Sequence, residues 1–122
     1  MQLNLASMNR LAFTHSEPIG PVVVVSAFNH PLNLIVHQVG PAIASGCPVI
    51  IKPASKTPLS AFTLVGIIHE AGLPKAWCQP VVTEDNAVTE QLVTDKRVAF
   101  FSFIGNANVG WMLRSKLAAV TR

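Results

Sequence analysis

Short β-branched runs alternate four times with longer stretches of helical spacing, and this alternation restricts the possible folds more than any other feature. Val22–Ser26 reads as a buried strand. Asn33 to Ala44 reads as a helix, with Leu34, Ile35, Val39 and Ile43 spaced toward one face. Gly46 stops it, as glycine does just past a helix. Val49–Lys52, between Pro48 and Pro53, is a second strand. Ser60 to Ala71 is a second helix, ended by Gly72-Leu73-Pro74. Cys78–Thr83 is a third strand, and Pro80, which lacks an N–H, predicts an edge position for it. Glu84 to Val93 is a third helix with Asp85 as an N-terminal cap, Val98–Phe103 a fourth strand, and Asn106 to Leu117 a fourth helix. Successive βα units build a parallel sheet with helices on its faces and right-handed crossovers. Ligands of such open sheets bind beyond the carboxyl ends of the strands. The residues that follow each strand are therefore the candidates for chemistry.

Composition adds bounds. The 122 residues suffice for one small domain with a single core. Apolar residues make up 50% of the chain and charged residues 12%, against a usual charged share of about 25%. So little charge implies that some of the surface is normally covered by more protein. The longest apolar runs, such as Val22 to Val25, fall far short of the ~20 residues of a spanning helix, and no signal-peptide pattern opens the chain. The net charge of +3 comes from scattered basic residues, with no Tyr and no aromatic platform. Nucleic acid is disfavoured, while anionic small molecules remain suitable partners. Cys47 and Cys78 share no metal-ligand spacing. Both read as reduced thiols of a cytoplasmic protein.

Three loops carry the candidates, each with two readings. Ser26-Ala27-Phe28-Asn29-His30-Pro31 follows the first strand. Asn29 is either a turn residue tolerant of unusual backbone angles or an amide donor to a developing oxyanion, worth about 3 kcal/mol. Lys52-Pro53-Ala54-Ser55-Lys56-Thr57-Pro58 follows the second strand, and its prolines stiffen it. Lys52 is either solvated or bonded to a ribose hydroxyl or phosphate. Phe103-Ile104-Gly105-Asn106-Ala107-Asn108-Val109-Gly110 follows the fourth strand. Its glycines serve either tight helix–sheet packing or the approach of a phosphate to free helical N–H groups. The pattern is not G-x-G-x-x-G.

In this order and spacing the three loops resemble the aldehyde dehydrogenase superfamily. That family has stretches like E-P-x-G-V-V, S-P-W-N-x-P, A-x-G-C-P-V-I-x-K-P-A-x-x-T-P-L, A-G-L-P and F-T-G-S-T-x-V-G. The chain reads Glu17-Pro18-Ile19-Gly20-Pro21-Val22, Ser26 to Pro31, Ala44 to Ala54 with Thr57-Pro58-Leu59, Ala71-Gly72-Leu73-Pro74, and Val98 to Gly110. The resemblance runs from about residue 17 to 117. It implies an α/β fold, a Rossmann-like open parallel sheet of about four strands, incomplete relative to the family domain. Residues 1–16 are then an N-terminal extension and residues 17–122 a partial NAD(P)-binding domain. The resemblance also assigns roles. Asn29 matches the oxyanion-hole asparagine, Lys52 the lysine on the adenosine ribose, and Gly105 and Asn106 the pair at the helix receiving the pyrophosphate. Ser26, Ala27 and Phe28 match the nicotinamide side of the cleft. No metal is implied. The cofactor is NAD or NADP and the substrate an aldehyde. The intact protein is a homodimer or homotetramer, with neither nucleic acid nor membrane as partner.

Departures from the family pattern matter. Ser55 stands where many members have a glutamate that repels a 2′-phosphate. Flanked by Lys52 and Lys56, it points to tolerance of NADP. Ile104, Asn106 and Ala107 replace Thr, Ser and Thr, removing hydroxyls from the glycine turn. Glu84 and Asp85 follow the third strand, where the family has glycine near the adenine. They either crowd a dinucleotide or cap a helix facing water, and capping is the favoured reading. Family members oxidise an aldehyde to a carboxylic acid through a cysteine thiolate and a glutamate base. Cys47 enters a buried strand and reads as packing. Cys78 lies away from Asn29. The expectation is that nucleophile and base both lie beyond Arg122 and that the chain alone is inactive. The alternatives are a non-catalytic nucleotide-binding or interaction module and an unrelated doubly wound domain.

Overall fold

The computed structural model describes residues 10–122. Residues 1–9 of the expected extension lie outside the described residues, and Arg10 to Ser16 are exposed and form neither helix nor strand. Four strands and four helices follow: β1 (Val22–Val25), α1 (Pro31–Ala44), β2 (Val49–Lys52), α2 (Leu59–Glu70), β3 (Cys78–Pro80), α3 (Asn86–Thr94), β4 (Phe100–Phe103) and α4 (Ala107–Ser115). A 3-10 turn, Lys75–Trp77, leads into β3.

All strand pairs are parallel, in the order β3-β2-β1-β4. The sheet sorts β1 by period two. Val22 and Val24 pack with Ile35, Val39, Ala61 and Val65 of α1 and α2. Val23 and Val25 face the other way, with Leu92 of α3 and Phe101 and Phe103 of β4. Both faces of β1 are thus covered, which explains an unbroken valine run where a half-exposed strand would alternate.

The order also fixes where helices go. The crossovers from β1 to β2 and from β2 to β3 step one way along the sheet, and the crossover from β3 to β4 steps back past β1. A constant right hand then demands opposite faces for α1 and α2 on one side and α3 on the other, as the two core clusters record.

Element ends follow local chemistry. Gly46 takes φ +77° just after α1, and Gly72 takes φ +103° after α2. β3 is an edge strand, as Pro80 predicts, but ends at that proline rather than at Thr83. Asp85 caps α3, its Oδ1 accepting from the Ala87 N–H at 2.9 Å. Asp85→Ala is expected to destabilise the protein by about 1 kcal/mol in urea unfolding, and an unchanged midpoint would count against the cap.

The sparse charge also has a structural counterpart. Leu59, Ile67 and Trp111 are exposed on the helices, a surface suited to contact with further protein. No helix among the described residues is long and apolar enough to cross a membrane.

Candidate functional site

The topology defines a switch point. β1 and β4 are neighbours; the chain leaving β1 crosses to β2 on one side, whereas the chain after α4 returns to the far edge of β4, where the Arg122 N–H donates to the Ala99 carbonyl at 3.0 Å and the Phe101 N–H to the Arg122 carbonyl at 2.8 Å. A crevice opens beyond the carboxyl ends of such a pair. Here it measures about 540 Å³, within the roughly 300–1,000 Å³ of ligand pockets. A larger hollow of about 720 Å³ runs between β4 and α4 but shares only Gly105 with the predicted site residues.

Seven of the eight predicted residues line the crevice. Ser26, Ala27, Phe28 and Asn29 form the wall after β1, Lys52 stands at the end of β2, and Gly105 and Asn106 form the turn after β4. Ser55 does not line it and sits exposed in the loop after β2. Backbone register draws the walls together. Val25 pairs with Lys52 on one side and with Phe103 on the other. The Ser26 N–H donates to the Lys52 carbonyl at 3.2 Å, and the Ile104 N–H to the Val25 carbonyl at 2.9 Å. Lys56 reaches back across the opening, its Nζ 5.6 Å from the Phe28 ring centroid, within cation–π range.

The crevice is electrostatically one-sided. No aspartate or glutamate lines it, and Lys52 supplies a cation. Glu84 is exposed, Asp85 caps α3, and neither belongs to the lining. The Ser26 hydroxyl is buried with no hydrogen-bond partner among the described residues. A buried hydroxyl left unpaired is costly, and Ser26 is one of the residues that line the crevice.

The glycine turn combines packing with openness. A Cβ on Gly105 would lie 2.8 Å from the Phe103 ring, and one on Gly110 would lie 2.9 Å from it. Both glycines therefore make room for Phe103, which bears out the packing reading of the turn. Asn106 caps α4, its Oδ1 accepting from the N–H groups of Asn108 (2.9 Å) and Val109 (3.4 Å). With the oxygen held on the helix, the remaining amide donors of that side chain are the ones available to an anion.

Two further features escaped the sequence reading. Phe103 looked like one more strand aromatic, and only the facing glycines reveal the slot it fills. Gln38 lies on the buried face of α1, between Ile35 and Val39. Its Nε2 donates to Ser102 Oγ at 2.9 Å and approaches the Val25 carbonyl at 3.4 Å. A polar residue inside an apolar helical stripe was the signal available.

The two thiols are core groups. Cys47 and Cys78 are free and buried in the cluster between the sheet and α1 and α2, and burial pushes the Cys78 thiol up. A buried thiol of raised pKa is a poor nucleophile. In the folded protein both are expected to react with a disulfide reagent roughly a hundredfold more slowly than in denaturant. Rapid labelling of either would contradict that burial.

The sequence matches the profile of the Aldehyde dehydrogenase family over residues 1–122. The chain belongs to the aldehyde dehydrogenase family. It is 42% identical over 110 residues to the 3-sulfolactaldehyde dehydrogenase of Priestia aryabhattai, covering 90% of the chain and 23% of that enzyme. Its fold matches the glyceraldehyde-3-phosphate dehydrogenase GapN of Methanocaldococcus jannaschii, solved with NADP, with a TM-score of 0.81 at 33% identity. That match covers 87% of the chain and 24% of GapN. It also matches an NAD-dependent benzaldehyde dehydrogenase of Corynebacterium glutamicum, with a TM-score of 0.78 at 35% identity, over 82% and 22% of the two chains. The chain thus spans less than a quarter of the length of these aldehyde dehydrogenases.

Proposed function

We propose that the chain is part of the NAD(P)-binding domain of an aldehyde dehydrogenase that oxidises an aldehyde to a carboxylic acid. In this reading residues 17–122 belong to the nucleotide domain and residues 1–16 are an extension. The observation that carries it is the convergence of Asn29, Lys52 and Gly105 on one acid-free crevice at the switch point. The residues present fit a phosphate-bearing dinucleotide: a cation at a strand end, an unpaired buried hydroxyl on Ser26, and a glycine turn opening a capped helix. A bound nicotinamide nucleotide would accept hydride from the substrate carbon.

The chain's own residues take the remaining roles. Lys52 donates to a ribose hydroxyl or phosphate oxygen. Gly105 and the amide of Asn106 admit the pyrophosphate. Ser26, Ala27 and Phe28 wall the nicotinamide side and exclude water there. Asn29 donates to the substrate carbonyl oxygen as negative charge builds on it. The crevice itself supplies neither thiolate nor carboxylate base: Cys47 and Cys78 are buried in the core, and no aspartate or glutamate lines it. The chain alone is therefore expected to show no dehydrogenase turnover. Two free thiols suit a cytoplasmic protein, and exposed apolar side chains suit a homodimer or homotetramer.

Two observations test this reading. The gene beyond codon 122 should continue into a glutamate and then a Gly-Gln-x-Cys-like stretch, and a stop codon there would favour a non-catalytic binding module. A fluorescence titration with reduced dinucleotide should show saturable binding to the full protein, and a flat titration would reject nucleotide use.

The choice of dinucleotide follows from charge. Ser55 lies between Lys52 and Lys56 and adds no carboxylate to the loop. The protein is expected to accept NADP as well as NAD. Ser55→Glu should weaken binding of reduced NADP by about tenfold, or about 1.4 kcal/mol, with NAD little changed. An equal loss for both would remove Ser55 from cofactor selection.

A further inference from the structure

At the Val25 carbonyl three elements meet on one oxygen. It accepts the Ile104 N–H at 2.9 Å from the end of β4, and the Gln38 amide approaches it at 3.4 Å from α1. Gln38 also donates to Ser102 Oγ of β4 at 2.9 Å, which is the stronger of its two contacts. A carbonyl only accepts, so the side facing Val25 is the amide nitrogen. Val25 immediately precedes Ser26, and Ile104 immediately precedes Gly105. The contacts therefore sit at the root of both walls of the crevice. Gln38 is only 8% exposed, and its Oε1 has no partner among the described residues. An apolar side chain would fill this helix face without leaving a buried oxygen unpaired. Retaining an amide here is costly for packing alone.

We infer that Gln38 is a positioning residue: it ties α1 to the ends of β1 and β4 and so sets the spacing between the Ser26–Asn29 wall and the Gly105–Asn106 turn. It is not among the residues that line the crevice. Its effect passes through Val25 and Ser102. The functional consequence rests on the dinucleotide reading above, whereas the local consequence does not.

The test uses the full protein with Gln38→Met, which keeps the length of the side chain and removes the donor, and Ser102→Ala, a milder change that removes only the acceptor. Amide hydrogen exchange is read at Ile104 and Gly105 and, as a reference, at Val23 in the centre of the sheet. Each variant should speed exchange at Ile104 about tenfold more than at Val23, as expected for one lost hydrogen bond. Equal acceleration at both sites would mean a purely global stability role and would overturn the inference. A titration with reduced NADP should show affinity about tenfold weaker in Gln38→Met. If the unaltered protein takes up no dinucleotide, the functional reading fails and the exchange comparison alone decides the role of Gln38. If the unaltered protein binds and Gln38→Met binds equally well, the positioning role fails while the functional reading stands.

Discussion

Asn29→Ala, in an enzyme that carries this chain with its nucleophile and base, is expected to lower kcat by 10²- to 10³-fold, or about 3–4 kcal/mol of transition-state stabilisation. The size follows from what an amide donor does. It gains little from a neutral carbonyl and much more from the oxyanion that forms when a nucleophile attacks. Its loss should therefore fall on kcat, with KM changed far less. Asn29 is exposed at the crevice, after β1 and before α1. Truncating it should move stability by no more than about 0.5 kcal/mol. Parallel thermal melts with an intact KM and a collapsed kcat would establish the role. A kcat within threefold of the unaltered enzyme would return Asn29 to the status of a turn residue.

Ile51→Ala should produce the largest loss of stability, about 2–5 kcal/mol in urea unfolding. Ile51 is 0% exposed and lies in β2, between β1 and β3. It packs in the cluster that contains Ile35 and Val39 of α1 and Val65 of α2. With elements on both sides, the cavity left by truncation has little freedom to collapse. A domain of this kind has roughly 5–15 kcal/mol in total, so the variant would approach the folding threshold. Leu59→Ala, at a position 77% exposed, is the control and should stay within about 0.5 kcal/mol. Equal losses at the two positions would contradict the division between core and surface.

Much of this was legible in the sequence because the deciding forces are local. The valine run of β1, glycine after α1, proline in β3 and aspartate before α3 act on their own neighbours, and each marked its element within a few residues. The position of the candidate site was legible because a parallel sheet delivers the residues after its strands to one rim. Asn29, Lys52 and Gly105 needed only that rule to be brought together. What stayed hidden depends on contacts between distant parts of the chain. The slot for Phe103 exists only once α4 is docked on β4. Gln38 finds Ser102 across 64 positions of sequence, and no local spacing announces such a partner. Ser55 is a case of another kind: it sits exposed in the loop after β2, outside the crevice lining, so its part in cofactor choice rests on the charge of that loop rather than on the crevice wall.

The ring of Phe103, seated against two positions that lack side chains, behaves like a tenon in a mortise. Residues 103, 105 and 110 therefore cannot drift independently through evolution. Any gain of bulk at either glycine must be preceded or accompanied by shrinkage of the ring. A lineage that added bulk at either glycine and kept the ring would press α4 against the sheet's aromatic, straining the mouth of the crevice with it.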